Sequence, residues 1–190
     1  AGGGPAGVQG SAGGGGCHRG GLAEAALMGG GGPGRGTWGP ASGSAATDQS
    51  GIVEAIAVAR TLADGPLIAG GHSYGGRLTS MVVAENPGIA DTLTLFSYPL
   101  HPPGKPERLR TDHFPGITAP TVFTHGSSDP FGSLDELRAA VALIPAPTKI
   151  VEVSGARHDL GTKVAVRSGT KVPDVPAMAV AAALRLGGLD

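Results

Sequence analysis

Cysteine is almost absent from this chain of 190 residues, where Cys17 stands alone. An intramolecular disulfide needs a second thiol, and so does a thiolate zinc site, so both are excluded. An excess of charge of one sign is missing too. The 14 Lys+Arg and 15 Asp+Glu leave a formal net charge of −1, which gives no electrostatic footprint for nucleic acid or for strongly acidic substrates. No uninterrupted apolar run approaches the ~18–20 residues that cross a bilayer, and the N-terminus carries neither the basic head nor the apolar stretch of a signal peptide. The expectation is a soluble, cytoplasmic protein with no membrane partner. Its chemistry must come from hydroxyls, imidazoles and carboxylates, with no metal and no organic cofactor implied.

Aliphatic residues are missing from one end only. Ile, Val, Leu and Phe number three before residue 40 (Val8, Leu22 and Leu27), whereas 19 of the 35 glycines fall in residues 1–50. Such a segment buries too little apolar surface to offset the entropy of ordering its glycines. Three readings stand for residues 1–39: a disordered extension, irregular loops wrapped on a domain, or GC-rich coding DNA read out of frame, which yields Gly, Ala, Pro and Arg in excess. Residues 40–190 form the second unit and read as an ordinary globular domain.

From residue 40 the pattern is helix, strand, helix, strand, strand, helix, strand, helix. Asp48 is placed to cap a helix whose apolar positions are Ile52, Val53, Ile56, Ala59 and Leu62, and Gly65-Pro66 stops it. Leu67–Gly70 is a short apolar strand, and a helix runs from Ser73 through Met81 and Val83 to Asn86-Pro87-Gly88. Thr92–Phe96 and Thr121–His125 are β-branched and apolar enough for buried strands. Between them, Pro99 to Pro106 must be loop. Ser133 with Glu136 makes a capping box for a helix through Leu143. Lys149–Val153 is the last strand, and a closing helix spans about Asp174 to Leu186 with Val175, Met178, Ala179 and Ala182 on one face. Strands alternating with helices predict an α/β fold, a three-layer α/β/α sandwich around a mostly parallel sheet.

The candidate chemistry sits at the ends of those strands. Gly71-His72-Ser73-Tyr74-Gly75 is a G-x-S-x-G sequence between an apolar strand and a helix, the context a nucleophile elbow requires. Glycines let strand and helix approach, Ser73 projects its hydroxyl from the apex, and the Tyr74 backbone N–H at the helix start is aimed to donate to a developing oxyanion. Serine is a poor nucleophile at neutral pH unless an imidazole takes its proton and a carboxylate orients that imidazole. In the α/β-hydrolase order of Ser, then Asp or Glu, then His, the acid is Asp129, just after the strand ending at His125, and the base is His158, in the loop after Lys149–Val153. Both lie at carboxyl ends of strands, where open parallel sheets place their sites.

Other residues compete for these roles. His125 precedes the acid in the chain and reads as a strand-end histidine bonded to a loop. His72 packs or bonds beside the elbow, and Asp159 is adjacent to His158, which points its side chain elsewhere. Asp91 begins a strand, the wrong end. Tyr98 and His101, in and beside the proline-rich loop, are candidate substrate contacts with His72, against a structural role for each. A phosphate loop at Gly70–Gly76 fails for want of the G-x-x-x-x-G-K-[ST] lysine.

Residues 66–76 (PLIAGGHSYGG), Ser97–Pro106 (SYPLHPPGKP), Asp129–Gly132 and Ala156–Leu160 together resemble the small α/β-hydrolases of the dienelactone-hydrolase-like group, and more closely the branch with the testis-expressed hydrolase-like proteins. The resemblance covers about residues 40–190. It implies Ser73 as nucleophile, Asp129 as acid and His158 as base, in a branch largely without assigned substrates; the triad itself sets the expectation of a serine hydrolase acting on a small-molecule ester or thioester through an acyl-enzyme. It also implies N-terminal strands and a glycine-containing loop that supplies a second oxyanion N–H. Residues 1–39 show neither, so the sheet is expected to lack strands on one side of the nucleophile strand, with an exposed edge. The alternative reading is a non-catalytic α/β-hydrolase-like binding or scaffold protein, or an inactive truncated product.

Overall fold

A computed structural model of the chain describes residues 45–62, 64–161 and 174–189. The Gly-rich segment at residues 1–39 lies outside the described residues. The elements of the described residues follow the expected alternation: α1 (Ala45–Leu62), β1 (Ile68–His72), α2 (Ser73–Glu85), β2 (Thr92–Phe96), a 3₁₀ turn at Phe114–Gly116, β3 (Thr121–Gly126), α3 (Leu134–Val141), β4 (Thr148–Val153) and α4 (Val175–Gly187). The strands lie in the order β1-β2-β3-β4, every pair parallel. Among the described residues β1 ends the sheet.

Both faces of the sheet are covered, which is why its strands read as apolar runs rather than as alternating patterns. Ala69, Leu93, Leu95 and Phe123 point toward α1, α2 and α3 and meet Ile56, Val82, Val83 and Leu137. Ile68 and Val122 point the other way and meet Ala182 and Ala183 of α4. Leu93, Leu95, Val122 and Phe123 are all 0% exposed, and side chains of this size contribute roughly 1.5–3 kcal/mol each when fully buried. Gly70 is required on β1, since a Cβ there would strike the Thr94 carbonyl of β2.

The helices depart from expectation in four places. α1 starts at Ala45, so Asp48 lies in its first turn instead of capping it, and its carboxylate accepts a hydrogen bond from the Tyr74 hydroxyl at 3.0 Å. Of the apolar positions expected on α1, Ile56 and Ala59 are buried, but Leu62 is 79% exposed because the helix ends there. On α4 the buried stripe is Val175, Ala179, Ala182 and Ala183, and Met178 is exposed. A stripe of alanines brings the helix axis close to the sheet, which leaves the longer methionine on the flank. α3 starts as expected, with Ser133 accepting from the Glu136 N–H and the Glu136 carboxylate accepting from the Ser133 N–H, but it stops at Val141, short of the expected Leu143.

Between β2 and β3 the chain packs His113 against α2, with its Nε2 2.7 Å from the Ser80 hydroxyl. Burial, reinforced by the nearby Arg77 guanidinium, lowers the His113 pKa from 6.5 to about 4. The unfolded chain therefore takes up a proton between those values while the folded chain does not. His113 stabilises the fold fully above about pH 6.5, and that contribution is lost as pH falls toward 4. The urea midpoint is expected to drop over this window, and His113→Gln to flatten that part of the slope.

Candidate active site

β1 passes into α2 with no intervening residue, and the turn is tight enough to force Ser73 into the left-handed region, at φ 51. Only a few per cent of non-glycine residues adopt that conformation, at a cost of order 1–3 kcal/mol where surrounding structure imposes it. The imposing contact is the close approach of two glycines. A Cβ on Gly71 would lie 2.8 Å from the Gly76 nitrogen, and one on Gly76 would lie 2.5 Å from the Gly71 oxygen. The glycine facing Gly71 is thus Gly76, one residue beyond the pentapeptide. The first N–H groups of α2, that of Tyr74 among them, have no intrahelical partner, and no side chain caps them.

The loops after β3 and β4 are locked together. Gly126 pairs with Val153 across the sheet, and a Cβ on Gly126 would collide with the Ala156 carbonyl. Beyond the strands, the Ser127 N–H donates to Val153 O (3.2 Å), the Ser128 N–H to Ala156 O (2.9 Å) and the Gly155 N–H to the Ser127 hydroxyl (2.8 Å). This lacing carries Asp129 on one loop to His158 on the other. The His158 Nδ1 lies 3.0 and 2.9 Å from the two Asp129 carboxylate oxygens, and its Nε2 lies 2.7 Å from the Ser73 Oγ. With Nδ1–H donating to the carboxylate, Nε2 is the acceptor and Ser73 O–H the donor.

The environment of the carboxylate favours its charged form. Burial alone would raise the Asp129 pKa, but hydrogen bonds from His158 and from the Phe131 N–H, with the neighbouring imidazoles, reverse this and hold it below the usual carboxylate range. The arrangement is a buried anion, an imidazole oriented by it, and a hydroxyl bonded to that imidazole at the mouth of a helix N-terminus. Such a set can deprotonate the hydroxyl as it attacks an electrophilic carbon and hold the resulting imidazolium.

The sequence profile of a family described as an alpha/beta hydrolase domain matches residues 47–186. The chain belongs to the alpha/beta hydrolase family. Solved structures with the same fold include a dienelactone hydrolase from Anabaena variabilis (19% identity, TM-score 0.53, 74% of this chain and 58% of that one). Others are an alpha-beta serine hydrolase homologue from Coxiella burnetii (15%, 0.55, 76% and 64%) and Est1E from Butyrivibrio proteoclasticus (17%, 0.53, 73% and 72%). At these identities the likeness is one of fold, and this chain spans less than two thirds of the first two.

The remaining candidates divide within this hydrolase fold. His72 does lie at the site, its Nε2 2.8 Å from the His158 carbonyl oxygen and its ring 5.3 Å from the His158 ring, so it fixes the backbone of the loop that carries the imidazole. Tyr98, expected as a substrate contact, is 1% exposed. Its ring packs on Phe114 and Phe123 and its hydroxyl donates to the Arg110 carbonyl, so it closes the core. His101, offered for the same role, is buried as well, with Nδ1 bonded to the Pro102 carbonyl at 2.8 Å and Nε2 3.5 Å from Glu136. His125 donates from Nε2 to the Gly132 carbonyl at 2.8 Å. Asp159 turns back to the Gly161 N–H, and Asp91 binds Arg60 and the Leu67 N–H at the opposite end of the sheet. Among the described residues no three His, Cys, Asp or Glu side chains converge as a metal site would need. No helix among them is long and apolar enough to cross a membrane.

One residue at the site was not singled out from the sequence. The Phe131 ring stacks on His158 at 4.1 Å between centroids with a 31° tilt, and its N–H donates to Asp129 Oδ1 at 2.9 Å. The signal for the second contact was present: aspartate side chains bond the backbone N–H two residues on, and Phe131 is that residue. Nothing in the spacing announces the first.

Proposed function

We propose that the chain is a serine hydrolase that cleaves a small-molecule ester or thioester through an acyl-enzyme. The observation carrying this reading is the unbroken hydrogen-bonded series from Ser73 to His158 to Asp129, with the serine held in a left-handed backbone. Ser73 Oγ attacks the carbonyl carbon while its proton passes to His158 Nε2, and the Tyr74 N–H stabilises the oxyanion. His158 then returns the proton to the leaving alcohol or thiol. Water, deprotonated by the same imidazole, attacks the acyl-enzyme and frees the acid and Ser73. Asp129 stays ionised, holding the tautomer and balancing the imidazolium.

Intact-mass spectrometry before and after exposure to a fluorophosphonate tests this. One adduct is expected, mapping to Ser73 and absent when the protein is unfolded beforehand. A folded protein that takes up no label would favour the non-catalytic binding or scaffold reading, since a scaffold has no use for an activated serine.

A further inference from the structure

The proline-rich loop after β2 and the turn Asp129–Gly132 are joined at several points. The His101 N–H donates to the Phe131 carbonyl at 3.0 Å, His125 Nε2 donates to the Gly132 carbonyl, and Gly132 packs on Leu100, where a Cβ would come within 2.9 Å of the Leu100 Cβ. The Phe131 N–H is itself committed to Asp129. A turn clamped from β3, from the β2 loop and by its own carboxylate has little freedom, and its one aromatic side chain lies over the imidazole.

We infer that Phe131 is a positioning residue for His158, braced by the backbone of the proline-rich loop, and that its ring face favours the imidazolium formed during the reaction. The inference rests on the serine hydrolase reading. An aromatic face carries partial negative charge and attracts a cation lying over it. A ring stacked on the imidazole also limits rotation that would carry Nε2 out of line with Ser73 Oγ. The other ionisable groups facing His158 are Asp129 at Nδ1 and His72 at its backbone and ring edge. His125 stands behind Asp129 at 3.9 Å, and Arg157 and Asp159 flank His158 in the chain. A substitution at residue 131 alone changes the identity of none of them. The proline-rich loop, whose Tyr98 and His101 side chains are candidate substrate contacts from the sequence, instead reaches the site through the His101 main chain.

The test is the second-order rate of Ser73 labelling by a fluorophosphonate, followed from roughly pH 5 to 9, where an imidazole titrates. In that step Ser73 Oγ forms the bond to phosphorus, fluoride leaves and the hydroxyl proton passes to His158. Phe131→Leu is expected to lower the plateau by about 3- to 30-fold and move the acid limb to lower pH, whereas Phe131→Tyr keeps both within about twofold of wild type. Trifluorophenylalanine at position 131 preserves the packing while weakening the ring face. It is expected to shift the acid limb in the same direction as leucine without changing the melting temperature, which a purely structural role would not produce. If Phe131→Leu does not fold, the fluorinated variant decides alone. A labelled wild type with an unmoved limb in the fluorinated variant overturns the inference and leaves the hydrolase reading standing. A folded wild type that takes no label overturns both.

Discussion

Replacing Ser73 by alanine or glycine is expected to lower turnover of short-chain p-nitrophenyl esters by on the order of 10⁶, the loss found when the catalytic serine of a serine protease is removed. The two variants are expected to differ in stability in an unusual direction. Both delete the hydroxyl and its 2.7 Å bond to His158, so that loss cancels between them. At an ordinary helix position glycine is the less stable by roughly 0.5–1 kcal/mol. Residue 73 has φ 51, where a Cβ is strained and glycine is not, so the glycine variant is expected to be the more stable of the pair by about 1 kcal/mol. Urea unfolding of the two variants measures the difference. Equal stability, or the usual order, would mean that the elbow does not strain its serine. An active alanine variant would remove Ser73 from the mechanism altogether.

The strands and the Ser, Asp, His order were legible because each rests on local chemistry. β2 has the bounds read from its β-branched run, and the α3 capping box needs only Ser133 and Glu136. Asp129 and His158 lie far apart in the chain, but both follow strands of a parallel sheet, and parallel strands bring such loops to one edge. Side-chain direction in loops was not legible. Tyr98 and His101 belong to a stretch whose prolines show that it is irregular without showing which side chains turn inward. Their burial depends on Phe114, Phe123 and Glu136, which belong to later segments. The pairing of Gly71 with Gly76 and the stacking of Phe131 on His158 are likewise facts of approach between segments, and spacing alone does not encode them.

Asp129→Asn separates the orienting role of the carboxylate from its bulk. The amide matches the carboxylate in shape, but its NH₂ group offers donors where His158 Nδ1–H needs an acceptor. With NH₂ facing Nδ1, the imidazole carries its proton on Nε2, which then points a donor at Ser73 Oγ and cannot accept from it. Turnover is expected to fall on the order of 10⁴-fold in a protein that remains folded, the size of loss such a tautomer reversal produces in a serine protease. The same substitution has a signature in acid. Because the folded Asp129 pKa lies below its unfolded value of 3.8, its charge stabilises the fold above that pH, and the contribution is lost as pH falls through the folded value. This window lies just below that of His113, whose pKa falls from 6.5 to about 4, and Glu136, whose carboxyl is also held below its usual value, contributes to it as well. Asp129→Asn is expected to shrink the lower step and leave the upper one unchanged. A variant that loses turnover but keeps both steps at full size would show that the carboxylate bonded to His158 is not the group that makes the fold acid-sensitive. Both steps lost together would instead point to a collapse of the Asp129–Gly132 turn, and the rate loss would then carry no information about the tautomer.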